Sequence, residues 1–156
     1  MNTVCEFLRN WSGDANVERR EIETNSKIEN ILRPAAERKP HVVLLDREGA
    51  ALKYAERVSR GRGYVLTGVQ DLEQLRAALD DPLVELVILD WVLPGGQTAA
   101  QALPWCRNKK VHILSAYSSK FRTLQAAGVG VSSKPLADFP ALVEALLRGD
   151  SPAATV

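Results

Sequence analysis

Short apolar runs alternate with amphipathic stretches along residues 41–149. Each run has the length and the continuous apolar character of a strand that is buried on both faces of a parallel sheet. Strands that alternate with helices through short loops are typical of an open sheet with helices on both faces. We therefore predict an α/β fold with five parallel strands in the order 2-1-3-4-5. The predicted strands cover residues 42–46, 63–68, 84–90, 111–115 and 129–133.

The stretches between the strands predict helices. Apolar residues recur in them at helical spacing, which places these residues on one face. Asp71 and Asp138 stand where N-cap residues are expected, and Gly149 follows the last helix. Pro104 predicts an early end or a kink in the third helix, because proline cannot donate a backbone hydrogen bond. The predicted helices cover residues 49–60, 71–79, 98–106, 118–127 and 138–148.

Residues 1–40 have a different pattern, which predicts a helical extension and a linker. Phe7, Leu8 and Trp11 share one helical face, and a charged helix with a thin apolar stripe covers residues 18–33. So short a segment cannot build its own core, so we expect it to dock on the main domain, to pair with a second copy or to stay partly disordered. Docking or a homodimer through residues 1–33 is favoured, because the apolar face would otherwise be exposed.

The division that follows is an extension at residues 1–40, a main domain at 41–149 and a loose tail at 150–156. The composition is that of a soluble globular protein, with 46% hydrophobic and 25% charged residues. Twenty basic and nineteen acidic residues leave a net charge of +1, so no global field attracts nucleic acid or an anionic membrane. No apolar run is long enough to span a bilayer. We expect a cytoplasmic protein with neither of these partners.

The cysteines and histidines do not form the patterns of a metal site. Cys5 and Cys106 lie far apart and are interpreted as reduced thiols. His41 and His112 each open an apolar run without a ligand-forming residue at metal-binding spacing. We interpret both as histidines at strand edges.

Polar residues end four of the predicted strands. Asp46 ends the first, Asp90 the third and Ser115 the fourth, while Lys134 follows the fifth. The carboxyl ends of parallel strands meet at one edge of the sheet, so we expect these four side chains to lie close together. Such a set suits phosphoryl chemistry: a carboxylate acts as nucleophile, a divalent metal neutralises the incoming oxygens, and an ammonium and a hydroxyl bind the remainder.

Residues 41–149 resemble a response-regulator receiver domain of two-component signalling, which has a flavodoxin-like fold. The resemblance rests on four motifs: Val-Val-Leu-Leu-Asp46, Leu-Val-Ile-Leu-Asp90, Ile-Leu-Ser115-Ala116 and Ser-Ser-Lys134-Pro135.

The resemblance implies a role for each matched residue. Asp90 resembles the aspartate that a histidine kinase or a histidine phosphotransfer protein phosphorylates. A Mg²⁺ ion would be held by Asp46, Asp90 and the backbone carbonyl of Val92. Ser115 resembles the switch hydroxyl, and Lys134 resembles its cationic partner.

One departure from the receiver pattern lies beside the metal site. Receivers usually carry two adjacent acids after the first strand, and here the second position holds Arg47. A register shifted by one residue would place Asp46 there, but the following helix then matches less well. Arginine cannot bind Mg²⁺ and carries a permanent positive charge. Arg47 either weakens metal-dependent phosphorylation or replaces part of the metal's charge, with Glu48 contributing, and in both cases metal affinity falls.

The switch and output positions also depart from the pattern. Val131 stands where many receivers keep an aromatic switch residue, and Tyr117 is a nearby aromatic that could substitute for it. The resemblance places the output surface around the fourth helix, at Lys120, Phe121 and Arg122. Only nine residues follow Leu147, so we expect no effector domain in this chain.

These observations predict a stand-alone receiver that is phosphorylated on Asp90 and acts on an unidentified protein target through direct contacts, without being an enzyme. The alternative is a pseudo-receiver, an interaction module that phosphorylation does not control, because Arg47 replaces an acid. A less favoured alternative is a phosphatase with an aspartate nucleophile. It would need a second acid two residues after Asp90, where the chain has Val92.

Overall fold

The structure is a computed structural model, and it describes residues 15–116, 122–126, 128–134 and 138–150. The chain divides into two compact units, residues 1–38 and residues 39–156. None of the helices in the described part is long and apolar enough to cross a membrane.

The first unit contains helix α1, Ala15–Leu32, and a short 3-10 turn, Ala35–Glu37. The predicted helix is therefore present, and Pro34 separates the two segments as expected from its fixed φ. The apolar side chains at the end of α1 are exposed, and Leu32 is the most exposed of them at 77%. Phe7, Leu8 and Trp11 lie outside the described residues, so docking and dimer formation stay predictions.

The second unit contains a five-stranded sheet in the order β2-β1-β3-β4-β5, and every strand pair is parallel. This arrangement confirms the predicted fold class. Helices connect the strands, so each crossover returns the chain to the same edge of the sheet. The strands are β1 His41–Leu45, β2 Val65–Val69, β3 Val84–Asp90, β4 Lys110–Ser115 and β5 Gly130–Ser133. The helices are α2 Gly49–Ser59, α3 Leu72–Ala78, α4 Arg122–Ala126 and α5 Phe139–Arg148.

The two faces of the sheet bury separate apolar clusters. On one face, Leu44 and Ile88 pack in a cluster with residues of α2 and α5. On the other face, Val43 and Leu89 belong to a cluster with residues of α3 and the segment before β4. Successive residues of β1 and β3 therefore point to opposite faces, and both strands are buried on each side, as their continuous apolar runs predict.

Helix ends follow the predicted capping residues. The Asp71 carboxylate accepts a hydrogen bond from the Gln74 backbone N–H at 2.8 Å. Asp138 accepts one from the Ala141 N–H at 3.1 Å, which confirms the second cap. Gly149 ends α5 in the left-handed region, with φ of 83°, where glycine carries no Cβ penalty.

The third predicted helix has a different form. Residues Ala99–Cys106 form a 3-10 helix instead of an α-helix. Pro104 lies inside this segment and lacks the N–H that an α-helical turn would require of it. The kink that Pro104 predicts is therefore replaced by a change in the type of helix over the whole segment.

The interpretation of both histidines as strand-edge residues was wrong for His112. His112 lies within β4, between β3 and β5, and its side chain is fully buried. Its Nε2 hydrogen-bonds Ser132 Oγ at 2.7 Å. Gly130 lies opposite, and a Cβ there would approach His112 Nδ1 to 2.5 Å, so the buried ring requires glycine at this position.

His41 does begin β1, but it is buried and has a carboxylate partner that its sequence neighbourhood did not indicate. Its Nδ1 lies 2.6 Å from Asp81 Oδ2, and its Nε2 lies 2.7 Å from Thr67 Oγ1. The imidazole thus joins β1 to β2 and to the segment before β3.

Candidate functional site

Four polar residues lie at the carboxyl edge of the sheet. Asp46 follows β1 directly, Asp90 is the last residue of β3, Ser115 is the last of β4, and Lys134 follows β5. Each lies at the end of a strand or directly after it, so the sheet holds the backbone at all four positions.

The Lys134 ammonium lies between the two carboxylates. Its Nζ is 2.5 Å from Asp46 Oδ2 and 3.4 Å from Asp90 Oδ2. Both aspartates are buried, while about a quarter of the Lys134 side chain is exposed. The structure therefore brings together three of the predicted residues in one ion-paired group that solvent reaches from the Lys134 side.

The backbone places Ser115 next to Lys134. The Lys134 N–H donates a hydrogen bond to the Ser115 carbonyl oxygen at 3.0 Å, and Ser115 pairs with Ser133 in the β4–β5 register. Ser115 is buried, as are the three residues before it in β4. The fourth predicted residue therefore belongs to the same edge, beside the cation.

Glu48 contacts the site through its backbone, and the predicted contribution of its side chain stays a prediction. The Glu48 N–H donates to Asp46 Oδ1 at 2.9 Å, while the Glu48 side chain is exposed. An aspartate that accepts from the N–H two residues later is a common turn of Asx type. That local signal was present in the sequence. The turn orients the Asp46 carboxylate so that its second oxygen meets Lys134.

Burial has the largest influence on the pKa of the Asp90 carboxyl. It raises this pKa, because the charged form loses hydration. The Lys134 ammonium lowers this pKa, the Asp46 carboxylate raises it, and the Arg47 guanidinium lowers it. The net shift is upward, because the effect of burial on the pKa of Asp90 outweighs that of the Lys134 ammonium.

The loop after β3 is held close to the site by a short antiparallel bridge between Val92 and Thr98. The Ala99 N–H donates to the Trp91 carbonyl at 3.0 Å. Val92, whose carbonyl is the third predicted metal ligand, lies in this loop and is partly exposed. The loop can turn back because Gly95 adopts a φ of 72°, in the left-handed region.

The residues that could hold a divalent metal are few. Among the described residues, no group of three or more His, Cys, Asp or Glu side chains could bind one ion. The site offers the carboxylates of Asp46 and Asp90, and both oxygens of Asp46 are already bonded, to the Glu48 N–H and to Lys134. A Mg²⁺ ion that took Asp46 Oδ2 as a ligand would compete with the Lys134 ammonium for that oxygen. The described residues therefore fit a divalent ion poorly.

The predicted switch and output residues are only partly described. Val131 is partly buried in β5 and pairs with Ile113 of β4. Arg122 is the first residue of α4 and is exposed. Tyr117, Lys120 and Phe121 lie outside the described residues, so their predicted roles stay predictions.

Comparisons with known proteins give structural similarity only. No protein-family model matches the chain, and no curated protein matches its sequence. Among solved structures, the chemotaxis response regulator CheY4 of Vibrio cholerae is 18% identical, over 70% of this chain and 98% of that chain, with a TM-score of 0.56. The signal receiver domain of a LuxO repressor protein from Vibrio parahaemolyticus is 18% identical, over 70% and 88%, with a TM-score of 0.61.

A third similar structure is the signal receiver domain of an HD domain-containing protein from Pseudomonas fluorescens. It is 22% identical, over 75% of this chain and 90% of that chain, with a TM-score of 0.56. Identities this low show the fold and leave the activity open. The strand order agrees with that of the CheY type of doubly wound sheet. The second unit of the chain therefore has the fold of response-regulator receiver domains, as its motifs predict.

Proposed function

We propose that this chain is a response-regulator receiver that accepts a phosphoryl group on Asp90 and signals through protein contacts. The observation that carries the proposal is the position of the Lys134 ammonium between the Asp46 and Asp90 carboxylates, at the carboxyl edge of the sheet. A buried carboxylate with an adjacent cation can act as a nucleophile toward phosphorus and then stabilise the added negative charge.

In the proposed reaction, an Asp90 carboxylate oxygen forms a bond to phosphorus while the bond from phosphorus to the donor breaks. The donor class is a phosphohistidine of a kinase or of a phosphotransfer protein, which the receiver fold implies. Lys134 balances charge on the phosphoryl oxygens, and Ser115 supplies a hydroxyl at the same edge. Such a protein would meet its kinase in the cytoplasm. It would act by binding a protein target and not by turning over a substrate, as expected of a signalling domain.

The test is phosphorylation of the full chain by a small acyl phosphate with magnesium, followed by intact-mass analysis. We expect one phosphoryl adduct on the wild type and none on Asp90→Asn. The matched control is Asp80→Asn, because Asp80 is an exposed aspartate that follows α3 at the opposite edge of the sheet. An unmodified wild type, or an Asp90→Asn variant that still carries the adduct, would contradict the proposal.

The pseudo-receiver is retained as a second candidate because of one observation, the poor fit of the described residues to a divalent ion. It predicts a folded wild type that carries no adduct with or without magnesium. The mass analysis therefore distinguishes the two candidates directly.

A further inference from the structure

The charges at the carboxyl edge of the sheet are already balanced by the protein. Asp46 and Asp90 contribute two negative charges, and Lys134 and Arg47 contribute two positive charges, so their sum is zero. Replacing Arg47 with an acid would leave a sum of −2, which is the charge that one divalent cation neutralises. The residue that departs from the receiver pattern therefore makes the formal charge of these four positions two units more positive than an acid would.

The geometry of Asp46 agrees with this charge balance. One of its oxygens accepts the Glu48 N–H at 2.9 Å, and the other contacts the Lys134 ammonium at 2.5 Å. A divalent ion that bound Asp46 would compete with Lys134 for the carboxylate and would bring two further positive charges into a group whose formal charge is zero. Both changes oppose metal binding, because the carboxylate would exchange an existing ion pair for a new one at the cost of dehydrating the metal.

Arg47 lies next to the site along the chain and is open to solvent. It follows the buried Asp46 directly, and its own side chain is exposed. Its guanidinium also influences the ionisation of Asp90, which places the two groups within electrostatic range. Guanidinium groups donate two parallel hydrogen bonds to phosphoryl oxygens and remain charged at every physiological pH.

We propose that Arg47 and Lys134 together supply the positive charge that a divalent metal would otherwise provide, so that Asp90 accepts a phosphoryl group without magnesium. This inference rests on the proposed function. The step balances without a metal. An Asp90 oxygen bonds to phosphorus, the bond between phosphorus and the donor oxygen of the acyl phosphate breaks, and the acyl part leaves as a carboxylate with the electron pair. The acceptor changes from a carboxylate with one charge to an acyl phosphate with two, and Lys134 and Arg47 would balance these two charges.

The first arm of the test measures phosphoryl incorporation from a small acyl phosphate, with saturating magnesium and with excess chelator. We expect the wild-type rate to differ by less than about threefold between the two conditions, because the protein's own cations stabilise the transition state. Arg47→Asp should require magnesium, with incorporation at least ~10-fold slower in chelator. Arg47→Gln should be slower than the wild type in both conditions.

The matched control is Arg60→Asp, which makes the same change of charge. Arg60 is an exposed arginine that follows α2, at the amino edge of the sheet. Its variant should keep the wild-type rate in both conditions. Arg47 and Arg60 are both exposed, so we expect both variants to unfold at the urea midpoint of the wild type. Equal midpoints for all three proteins would show that altered rates do not arise from unfolding.

The second arm measures Mg²⁺ binding by calorimetry and by the fluorescence of Trp91, which adjoins Asp90 and is partly buried. We expect no binding to the wild type and measurable binding to Arg47→Asp. This arm needs no phosphorylation, so it separates the two proposals. A wild type that is phosphorylated only with magnesium, or that binds Mg²⁺ as tightly as Arg47→Asp, overturns the inference. A wild type that is never phosphorylated, with or without magnesium, overturns the proposed function and this inference with it, whereas the two results above overturn the inference alone.

Discussion

The two ends of β1 carry similar bonds in different surroundings. At the amino end, His41 Nδ1 lies 2.6 Å from the Asp81 carboxylate, and at the carboxyl end, the Asp46 carboxylate lies 2.5 Å from Lys134 Nζ. The histidine is buried, and its second nitrogen hydrogen-bonds the Thr67 hydroxyl. The distance between carboxylate and nitrogen therefore does not distinguish a structural pair from a functional one.

What differs is the number of carboxylates, since the two pairs are similarly open to solvent: 24% of the Lys134 side chain and 20% of the Asp81 side chain are exposed. Lys134 faces two carboxylates, whereas the His41 ring is bonded through both of its nitrogens. A cation shared by two carboxylates can exchange partners, which is useful for chemistry, while an imidazole bonded through both nitrogens is useful for holding strands together. The carboxyl edge of a parallel sheet is also where α/β proteins bind ligands. Three changes would break or sharpen this comparison.

The largest effect is expected for His41→Ala. It would leave the Asp81 carboxylate and the Thr67 hydroxyl without the imidazole and would open a cavity at the start of β1. We expect a loss of about 3–4 kcal/mol in the free energy of unfolding, measured by urea denaturation. In the His41→Ala background, Asp81→Asn should cost less than it does alone. A loss below about 1 kcal/mol would show that the amino-end pair is not a structural element.

The next effect concerns His112, a buried imidazole without a carboxylate partner among the described contacts. Burial lowers the pKa of His112 to about 4 from its ordinary value of 6.5. Between these values the unfolded chain binds a proton that the folded protein does not, so stability falls as the pH is lowered through this range. The loss totals about 3 kcal/mol at the lower limit.

The measurement is the free energy of unfolding between the two pKa values, for the wild type and for His112→Gln. Glutamine can still donate to Ser132 but does not titrate, so the variant should show a shallower dependence on pH. The carboxyl groups titrate in both proteins, and the difference between the two slopes therefore isolates His112. Equal slopes would mean that the imidazole is not buried in its neutral form.

The smallest effect has the opposite sign. Burial raises the pKa of Asp90, so its ionised form costs stability at neutral pH. Asp90→Asn should therefore increase the free energy of unfolding at pH 7 by about 0.5–1 kcal/mol. The gain should shrink as the pH falls toward the raised pKa, because protonation removes the same charge. A destabilised Asp90→Asn variant would indicate that the carboxyl edge is as structural as the amino edge.

The sequence was sufficient to predict the sheet and to predict that the site residues lie at one edge of it. Continuous apolar runs such as Leu86–Leu89 are long enough to specify buried strands, and the alternation with helices fixes the strand order within a few choices. Once the order is known, Asp46, Asp90 and Lys134 must lie at one edge. The position of Pro104 also signalled an irregular third helix, although not its 3-10 form.

The remaining features depend on contacts between distant parts of the chain. Nothing near His41 indicates that Asp81 will reach it, because the pair forms only when the loop before β3 returns to the start of β1. The full burial of His112 depends on Gly130, which has no side chain to prevent the close approach. Which carboxylate Lys134 prefers depends on differences of about an ångström between side chains, and periodicity carries no information at that scale.

The ion pair between Asp46 and Lys134 joins residues that are 88 positions apart. Such a contact has a high loop-closure cost and forms late unless the intervening chain is already ordered. Helices α2 and α3 can fold locally. The cluster of Asp46, Asp90 and Lys134 forms only when β1, β3 and β5 have all been assembled into the sheet. A nascent or partly folded chain would thus lack the assembled cluster, so under the proposed function phosphorylation of Asp90 would report that folding is complete.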